Sequence, residues 1–386
     1  MGALVSGAVL SGCTGSTSPG DLISSISSPA QPPAQPATAV GAGSVKVALI
    51  LPLSASGNAA LAAQSMRNAA EMALAEFKNP DVQLLVKDDA GSAQGAQQAA
   101  QQALDEGAEI ILGPLFALTV GPVAQLARAR NVPVIAFSTD ANVAARGVYL
   151  LSFLPESDVE RIISFAASQG KRSFAALVPD NAYGTVVEGA FKAAVGRRNG
   201  RVVAFEHYPL DRNQMQGPAR NVAQASAHAD AIFVPDGADA VPIVVQSLIS
   251  NGIDTKRVQL LGTGLWEDAQ IFSAPALEGA WYAGPDSNGF RNFSARYHSR
   301  YGQDPVRTAT LAYDAVALVA ALIKTQGPQR FSEETLTNAS GFTGIDGLFR
   351  FKQDGTSQRG LAVLRVTPTG GQVISPPPKA FGASGI

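Results

Sequence analysis

One stretch, residues 109–140 (EIILGPLFALTVGPVAQLARARNVPVIAFSTD), restricts the fold more than any other. Ile110–Leu112 is a continuous apolar run, too short for a helix, that stops at Gly113-Pro114 as a buried parallel strand does. A helical pattern follows, with Leu118, Pro122, Leu126 and Ala129 spaced near 3.6 residues and Arg128 and Arg130 in the last turn. Asn131 closes the helix, residues 132–137 form a second apolar run, and Ser138-Thr139-Asp140 opens a loop. One β-α-β unit therefore presents two strand ends, residues 113–116 and 137–140, on the same edge of a sheet. Open α/β sheets bind ligands at that edge, so the stretch predicts half of a ligand cleft.

The rest of the chain repeats the pattern. Residues 45–51 (VKVALIL) and 82–86 read as strands flanking a helix over 59–77, whose apolar side carries Leu61, Met66, Ala70, Met72, Ala73 and Phe77. Lys87-Asp88-Asp89 closes the second strand. Paired carboxylates suit acid–base work, but Asp89 and Ser92 stand where the Ala/Gln-rich helix 93–106 wants its N-cap. Farther on, two Val-Pro-Asp turns, at 178–180 and 234–236, stop strands and open helices, the mark of stacked β-α units. With 386 residues the chain can build two such domains, each with its own core. The helix over 308–324 is apolar on nearly all sides yet too short to span a bilayer, so it reads as a core helix.

Charge and composition exclude several functions. Lys+Arg total 29 against 31 Asp+Glu, with no dense basic run, which argues against nucleic acid as a partner. His207, His228 and His298 lie far apart without metal-ligand spacing, so no metal is expected. Cys13 is the only cysteine, which rules out a disulfide within the chain. Gly262-Thr263-Gly264 lacks the third glycine of a dinucleotide turn, since Glu267 stands there. Ser168 and Lys171 match S-x-x-K without its companion motifs. No nucleophile–base–orienter set assembles; neither an enzyme nor a cofactor is expected.

The N-terminus carries a different message. Residues 1–13 are apolar and small, run into Leu10-Ser11-Gly12-Cys13, and resemble the end of a lipoprotein signal with its lipobox, although no charged segment precedes them. The resemblance implies lipidation at Cys13, and Thr14 after it favours the outer membrane over the inner. Residues 14–43 are rich in Ser, Pro, Ala and Gln with Asp21 as the only charge. Such a segment cannot bury a core and reads as a disordered tether, which in polyproline geometry reaches up to ~90 Å.

The ordered series LILPLSASGNAA, VKDDAGSAQGAQQAAQQALDEGAEIILGPL and VPVIAFS resembles the type I periplasmic binding proteins, the leucine/isoleucine/valine-binding family, over residues 45–366. The resemblance implies two doubly wound Rossmann-like α/β lobes joined by a multi-crossing hinge. Lobe 1 would comprise residues 44–154 and 285–342, lobe 2 residues 155–284 and 343–370, and residues 371–386 a flexible tail. The expected ligand-binding residues are Ser54, Phe116, Ala117, Ser138 and Thr139 from lobe 1, and Tyr183, Asp236, Gly264 and Trp266 from lobe 2. Ser138 and Thr139 equally suit a turn cap, Asp236 a helix cap and Phe116 packing under a helix, whereas large aromatics such as Tyr183 and Trp266 at strand ends suit a cleft wall. Where amino-acid-binding members grip carboxylate and ammonium, this chain has Ala117 and Gly264, with Thr119 or Asp236 as stand-ins. GPLF, LLGTGLWED, LEGAWYAGPD and FSARYHSRYGQDPVRTATLAYDAVAL further resemble the lipoprotein activators of penicillin-binding proteins. That resemblance implies a non-enzymatic, lipid-anchored periplasmic protein that meets a small-molecule ligand or a peptidoglycan synthase and touches the membrane through its anchor alone. The alternative is the solute-binding component of an ABC transporter for an amino acid or a related molecule.

Overall fold

The computed structural model describes residues 38–209, 211, 214–226 and 228–381; Cys13 and most of the expected tether lie outside them. The first lobe contains β1 (Thr38–Val40), β2 (Val45–Leu51), α1 (Asn58–Glu76), β3 (Val82–Asp88), α2 (Ala93–Asp105), β4 (Ile110–Leu112), α3 (Ala117–Ala129), β5 (Val134–Ala136) and β6 (Val148–Leu150). Its sheet runs β1-β3-β2-β4-β5-β6, parallel except for β1, which pairs antiparallel with β3. Residues 38–40 were expected in the tether; instead they extend the sheet, because their β-branched ends meet the open edge of β3.

A 14-residue helix, α4 (Pro155–Ser168), opens the second lobe, with proline and acidic residues in its first turn as a helix N-terminus favours. There follow β7 (Ser173–Pro179), α5 (Ala182–Arg197), β8 (Arg201–Tyr208), α6 (Gln216–Ala225), β9 (Ala231–Phe233), α7 (Val241–Ser250), β10 (Gln259–Gly262), α8 (Ala269–Phe272) and β11 (Trp281–Gly284). The chain then returns to the first lobe with α9 (Ser287–Tyr301), α10 (Ala309–Gln326) and α11 (Glu333–Leu336). A small antiparallel sheet, β12 (Phe342–Gly344), β13 (Gly347–Phe351) and β14 (Ser357–Arg359), precedes β15 (Ala362–Thr367) and β16 (Gly370–Ser375).

The second sheet runs β16-β15-β11-β10-β9-β7-β8. Leaving aside the antiparallel additions, both sheets carry their five parallel strands in the order 2-1-3-4-5. The order reverses between β2 and β4 in the first lobe and between β7 and β9 in the second. A crevice opens at such a reversal, because the flanking connections leave toward opposite faces. Each sheet is covered on both faces by apolar clusters: α1 and α10 against α2 and α3 in the first lobe, α6 and α7 against α4 and α5 in the second. Among the described residues no helix is long and apolar enough to cross a membrane.

Two boundaries differ from expectation. Residues 343–359 were assigned to lobe 2, yet Phe349 and Phe351 lie in the first-lobe core, with Phe351 5.4 Å from the Tyr149 ring. The Leu150 amide also donates to the Gly355 carbonyl at 2.8 Å, so the small sheet is fastened to β6. Residues 371–375 were assigned to a flexible tail; they belong to β16, paired with β15. Three connections thus cross between lobes, near residues 151–154, 284–286 and 360–361.

Candidate functional site

The loops after β2, β3 and β4 converge at the first lobe's reversal point. The Ser54 amide donates to Asp88 Oδ1 at 3.2 Å, which pins one loop to the next, and the Ser54 side chain stays exposed. Gly91 sits at φ +66, and a Cβ there would stand 3.5 Å from the Phe116 ring and within 4 Å of Pro52 and Ala55. Phe116 and Ala117, both half-buried, therefore finish a small apolar floor. The hydroxyls nearby are committed to backbone. Thr119 is fully buried and donates to the Phe116 carbonyl at 2.8 Å, so its hydroxyl is turned to the backbone and not to the cleft. Ser138 is buried and accepts from the Asp140 amide at 3.1 Å, the turn-cap role; Thr139 beside it is exposed.

Asp89 was paired with Ser92 as a helix cap. Ser92 alone caps α2, accepting from the Gly95 amide at 3.1 Å. Asp89 is completely buried, braces the turn by accepting from the Gly91 amide at 2.8 Å, and leaves its second oxygen without a partner. Burial pushes its carboxyl up to about 6, opposed by that amide and by Thr119.

The second lobe's reversal point is braced by polar pairs. Tyr183, half-buried at the start of α5, shares a hydrogen bond of 3.2 Å with the buried Thr263 hydroxyl, and burial pushes its phenol up. The helix behind it is capped by Asn181, which accepts from the Gly184 amide at 2.8 Å, an arrangement that contributes about 1 kcal/mol. Asp236 receives the Tyr208 hydroxyl on one oxygen and the Gly237 amide on the other at 2.7 Å, so both oxygens are occupied. The Gly264 amide donates to Asp158 Oδ2 at 2.9 Å.

Trp266 contradicts its expected place on the cleft wall. It is fully buried in the second-lobe core, 6.5 Å from the Tyr282 ring, and a Cβ at Gly262 would overlap its indole. A short 3₁₀ turn over Gly264–Trp266 sends Trp266 inward and leaves Leu265 49% exposed. A large aromatic after a strand reads the same in sequence whether the turn sends it in or out.

Sequence reasoning also missed the exposed leucines. Among the described residues the exposed large apolar side chains are Leu61, Leu118, Val202, Leu265 and Val373. Three of these, Leu61, Leu118 and Leu265, sit in the first turns after β2, β4 and β10, on the edges that bear the reversal points. Leu61 had been read on the apolar side of its helix, and Leu118 as part of an apolar helical pattern at the sheet edge. The helices instead bury small residues, α3 for example through Thr119, Val120, Val123, Ala124 and Ala127. Charge just past these strand ends has one sign. In the three residues that follow each parallel strand, the described acidic and basic side chains are Asp89, Asp180, Asp211, Asp236 and Asp286; Lys87 and Asp88 inside β3, and Glu206 and His207 inside β8, come just before.

A sequence profile described as periplasmic binding protein matches residues 44–372. A Leu/Ile/Val-binding protein homolog of Brucella melitensis is 25% identical over 250 residues, 62% of this chain and 63% of that protein. The chain thus spans less than two thirds of the curated relative it matches. Among solved structures, a branched-chain amino acid ABC transporter periplasmic ligand-binding protein of Burkholderia xenovorans superposes with TM-score 0.69 at 18% identity, covering 88% of this chain and 97% of the other. A solute-binding protein of Rhodopseudomonas palustris, solved with 3,4-dihydroxybenzoic acid, gives TM-score 0.62 at 21% identity and covers 88% and 98%. At these identities the likeness shows the fold, two α/β lobes of type I.

Proposed function

We propose that this chain, which belongs to the periplasmic binding proteins, is the solute-receiving component of an ABC import system and takes a small amino acid with an apolar side chain. As a member of that family it is a periplasmic ligand-binding protein, not an enzyme. The observation that carries the ligand class is the pairing of exposed Leu61, Leu118 and Leu265 with cleft edges whose described charges are acidic. An apolar body gains from the leucines, and an ammonium group is favoured by the acidic field. A bare aromatic carboxylate meets no compensating Lys or Arg in those positions. The names borne by the Brucella and Burkholderia proteins point the same way.

Isothermal titration with leucine, valine and benzoate tests this. Micromolar binding of an aliphatic amino acid without benzoate binding is expected; benzoate as the sole ligand overturns the ligand class. The activator reading rests on the four segments that resemble those lipoproteins, and the names of the relatives favour import over it. Capture of a peptidoglycan synthase by the full chain, with no amino acid bound, would reverse that preference. Lipidation at Cys13, with anchoring at the outer membrane, is a separate proposal. Cys13→Ala is expected to release the protein from membranes, and a variant that still partitions with them refutes the anchor.

A further inference from the structure

Beyond its last strand the chain passes the hinge once more. Arg161, on α4 of the second lobe, fixes the start of this segment. Its Nε donates to the Leu361 carbonyl of the third crossing at 2.8 Å. One terminal nitrogen donates to Ser375 Oγ at 2.7 Å and to the Pro376 carbonyl at 3.4 Å. Pro376, Pro377 and Pro378 then follow in succession. Each proline fixes its own φ and holds the residue before it extended, so residues 375–378 do not coil into a helix.

This stiff piece lies against the hinge and ends on the first lobe. A Cβ on Gly360, the buried glycine of the third crossing, would stand 3.1 Å from the Pro378 ring. A glycine there gives the crossing a wide φ/ψ range, and the proline ring occupies the space beside it. Farther along, the Phe381 ring centre lies 4.6 Å from the Arg350 guanidinium on β13, and a Cβ on Gly341 would stand 2.9 Å from the same ring. Arg350 is held in place for this contact. Its Nε donates to Gln358 on β14 at 3.0 Å, and a terminal nitrogen donates to the Ala339 carbonyl ahead of β12 at 3.0 Å. The small sheet that carries Arg350 is the one fastened to the first-lobe core.

We propose that residues 376–381 are a strap, joined to the second lobe through β16 and clasped to the first through Phe381, that narrows the range of lobe arrangements the hinge reaches. The two ends differ in strength. The second-lobe end continues a paired strand, whereas the first-lobe end rests on a ring against a cation, which parts more readily than a strand. The prolines keep the strap from storing slack, so movement of one lobe against the other is passed to the Phe381 contact. A hinge narrowed in this way leaves less freedom for a bound solute to remove.

Energy transfer in the ligand-free full chain tests this. Dyes sit on Ser250→Cys of α7 and Ser299→Cys of α9, both exposed, in a Cys13→Ala background. Phe381→Ala is expected to broaden the distribution of interlobe distances and to raise the detached fraction up to about fivefold, as loss of one exposed ring–cation contact does. Phe381→Trp, which offers a larger ring to the same cation, keeps the distribution narrow. Trypsin cleavage after the exposed Lys379, read by mass spectrometry, reports detachment separately and should quicken by the same factor in Phe381→Ala. A distance distribution unchanged in Phe381→Ala overturns the proposal even if cleavage quickens, because the ring would then dock without governing the hinge. A Phe381→Trp distribution as broad as that of the alanine variant counts against it too. Pro376→Gly, Pro377→Gly and Pro378→Gly together leave Phe381 in place and restore slack. They are expected to broaden the distribution, and an unmoved one refutes the strap. Since no ligand is used, the outcome is independent of whether the solute proposed above is correct.

Discussion

The two reversal points share a topology and differ in how they are built. In the first lobe, three loops close over a floor of Pro52, Ala55, Gly91 and Phe116, and the nearby hydroxyls of Thr119 and Ser138 serve the backbone. In the second, the same strand order is braced by Tyr183 with Thr263, Tyr208 with Asp236, and Gly264 with Asp158. One edge offers shape and apolar surface; the other offers a pre-organised polar frame resting on a Trp266 core. Binding energy in such a cleft comes from burying apolar surface on a floor held rigid from the opposite side.

Substitutions at the two edges should therefore have unequal consequences. The largest effect is expected for Trp266→Ala, which empties a fully buried site and costs about 3–5 kcal/mol in thermal or denaturant unfolding. An unfolding free energy within 1 kcal/mol of wild type, a generous margin for a surface change, would return Trp266 to the cleft wall. Next comes Asp89→Asn. The folded Asp89 carboxyl is raised to about 6 from an ordinary 3.8, so wild-type stability falls as pH rises from about 4 to 6 and stays low above that. The amide variant should lose this slope and gain up to about 3 kcal/mol at pH 8, as read from urea unfolding at pH 4 and 8. A parallel loss in both proteins would assign the slope to other groups.

Tyr208→Phe ranks third. It strips one donor from Asp236 and should cost about 1–2 kcal/mol, while loosening the second edge enough to weaken ligand binding. Leu118→Ser comes last in stability, within about 0.5 kcal/mol of wild type, because the side chain is already 58% exposed. Its affinity for an aliphatic amino acid should nonetheless drop about tenfold, in line with the apolar area lost. If affinity is unchanged in titration calorimetry, the first edge is not the apolar wall described here.

The comparison also separates what can be read along the chain from what cannot. The β-α-β unit at 109–140, the Val-Pro-Asp turns and the core helix over 309–326 follow from local pattern alone, because strand and helix periods are set by backbone geometry. The helix faces did not follow. Leu61 and Leu118 are apolar residues at helical spacing, yet α1 and α3 turn alanines and valines to the sheet, where small side chains permit close approach. The small sheet that carries Phe349 was placed in the wrong lobe, since a strand pattern does not say which core it joins.

Residue types and strand ends, both local, are what put Phe116, Tyr183 and Gly264 forward as cleft-edge candidates and read the chain as repeated β-α units, while the two-lobed arrangement came from the resemblance of their ordered series to a known family. The directions of side chains in irregular turns needed the folded chain. Trp266 turns inward and Leu265 outward through one 3₁₀ turn, whose sense depends on the space over Gly262. The hinge needed it even more. At the crossings Arg307 pairs with Asp346 and Arg359 donates to the Ser152 carbonyl, partners 39 and 207 positions apart in sequence, and only tertiary packing brings them together, because no local pattern relates residues that far apart.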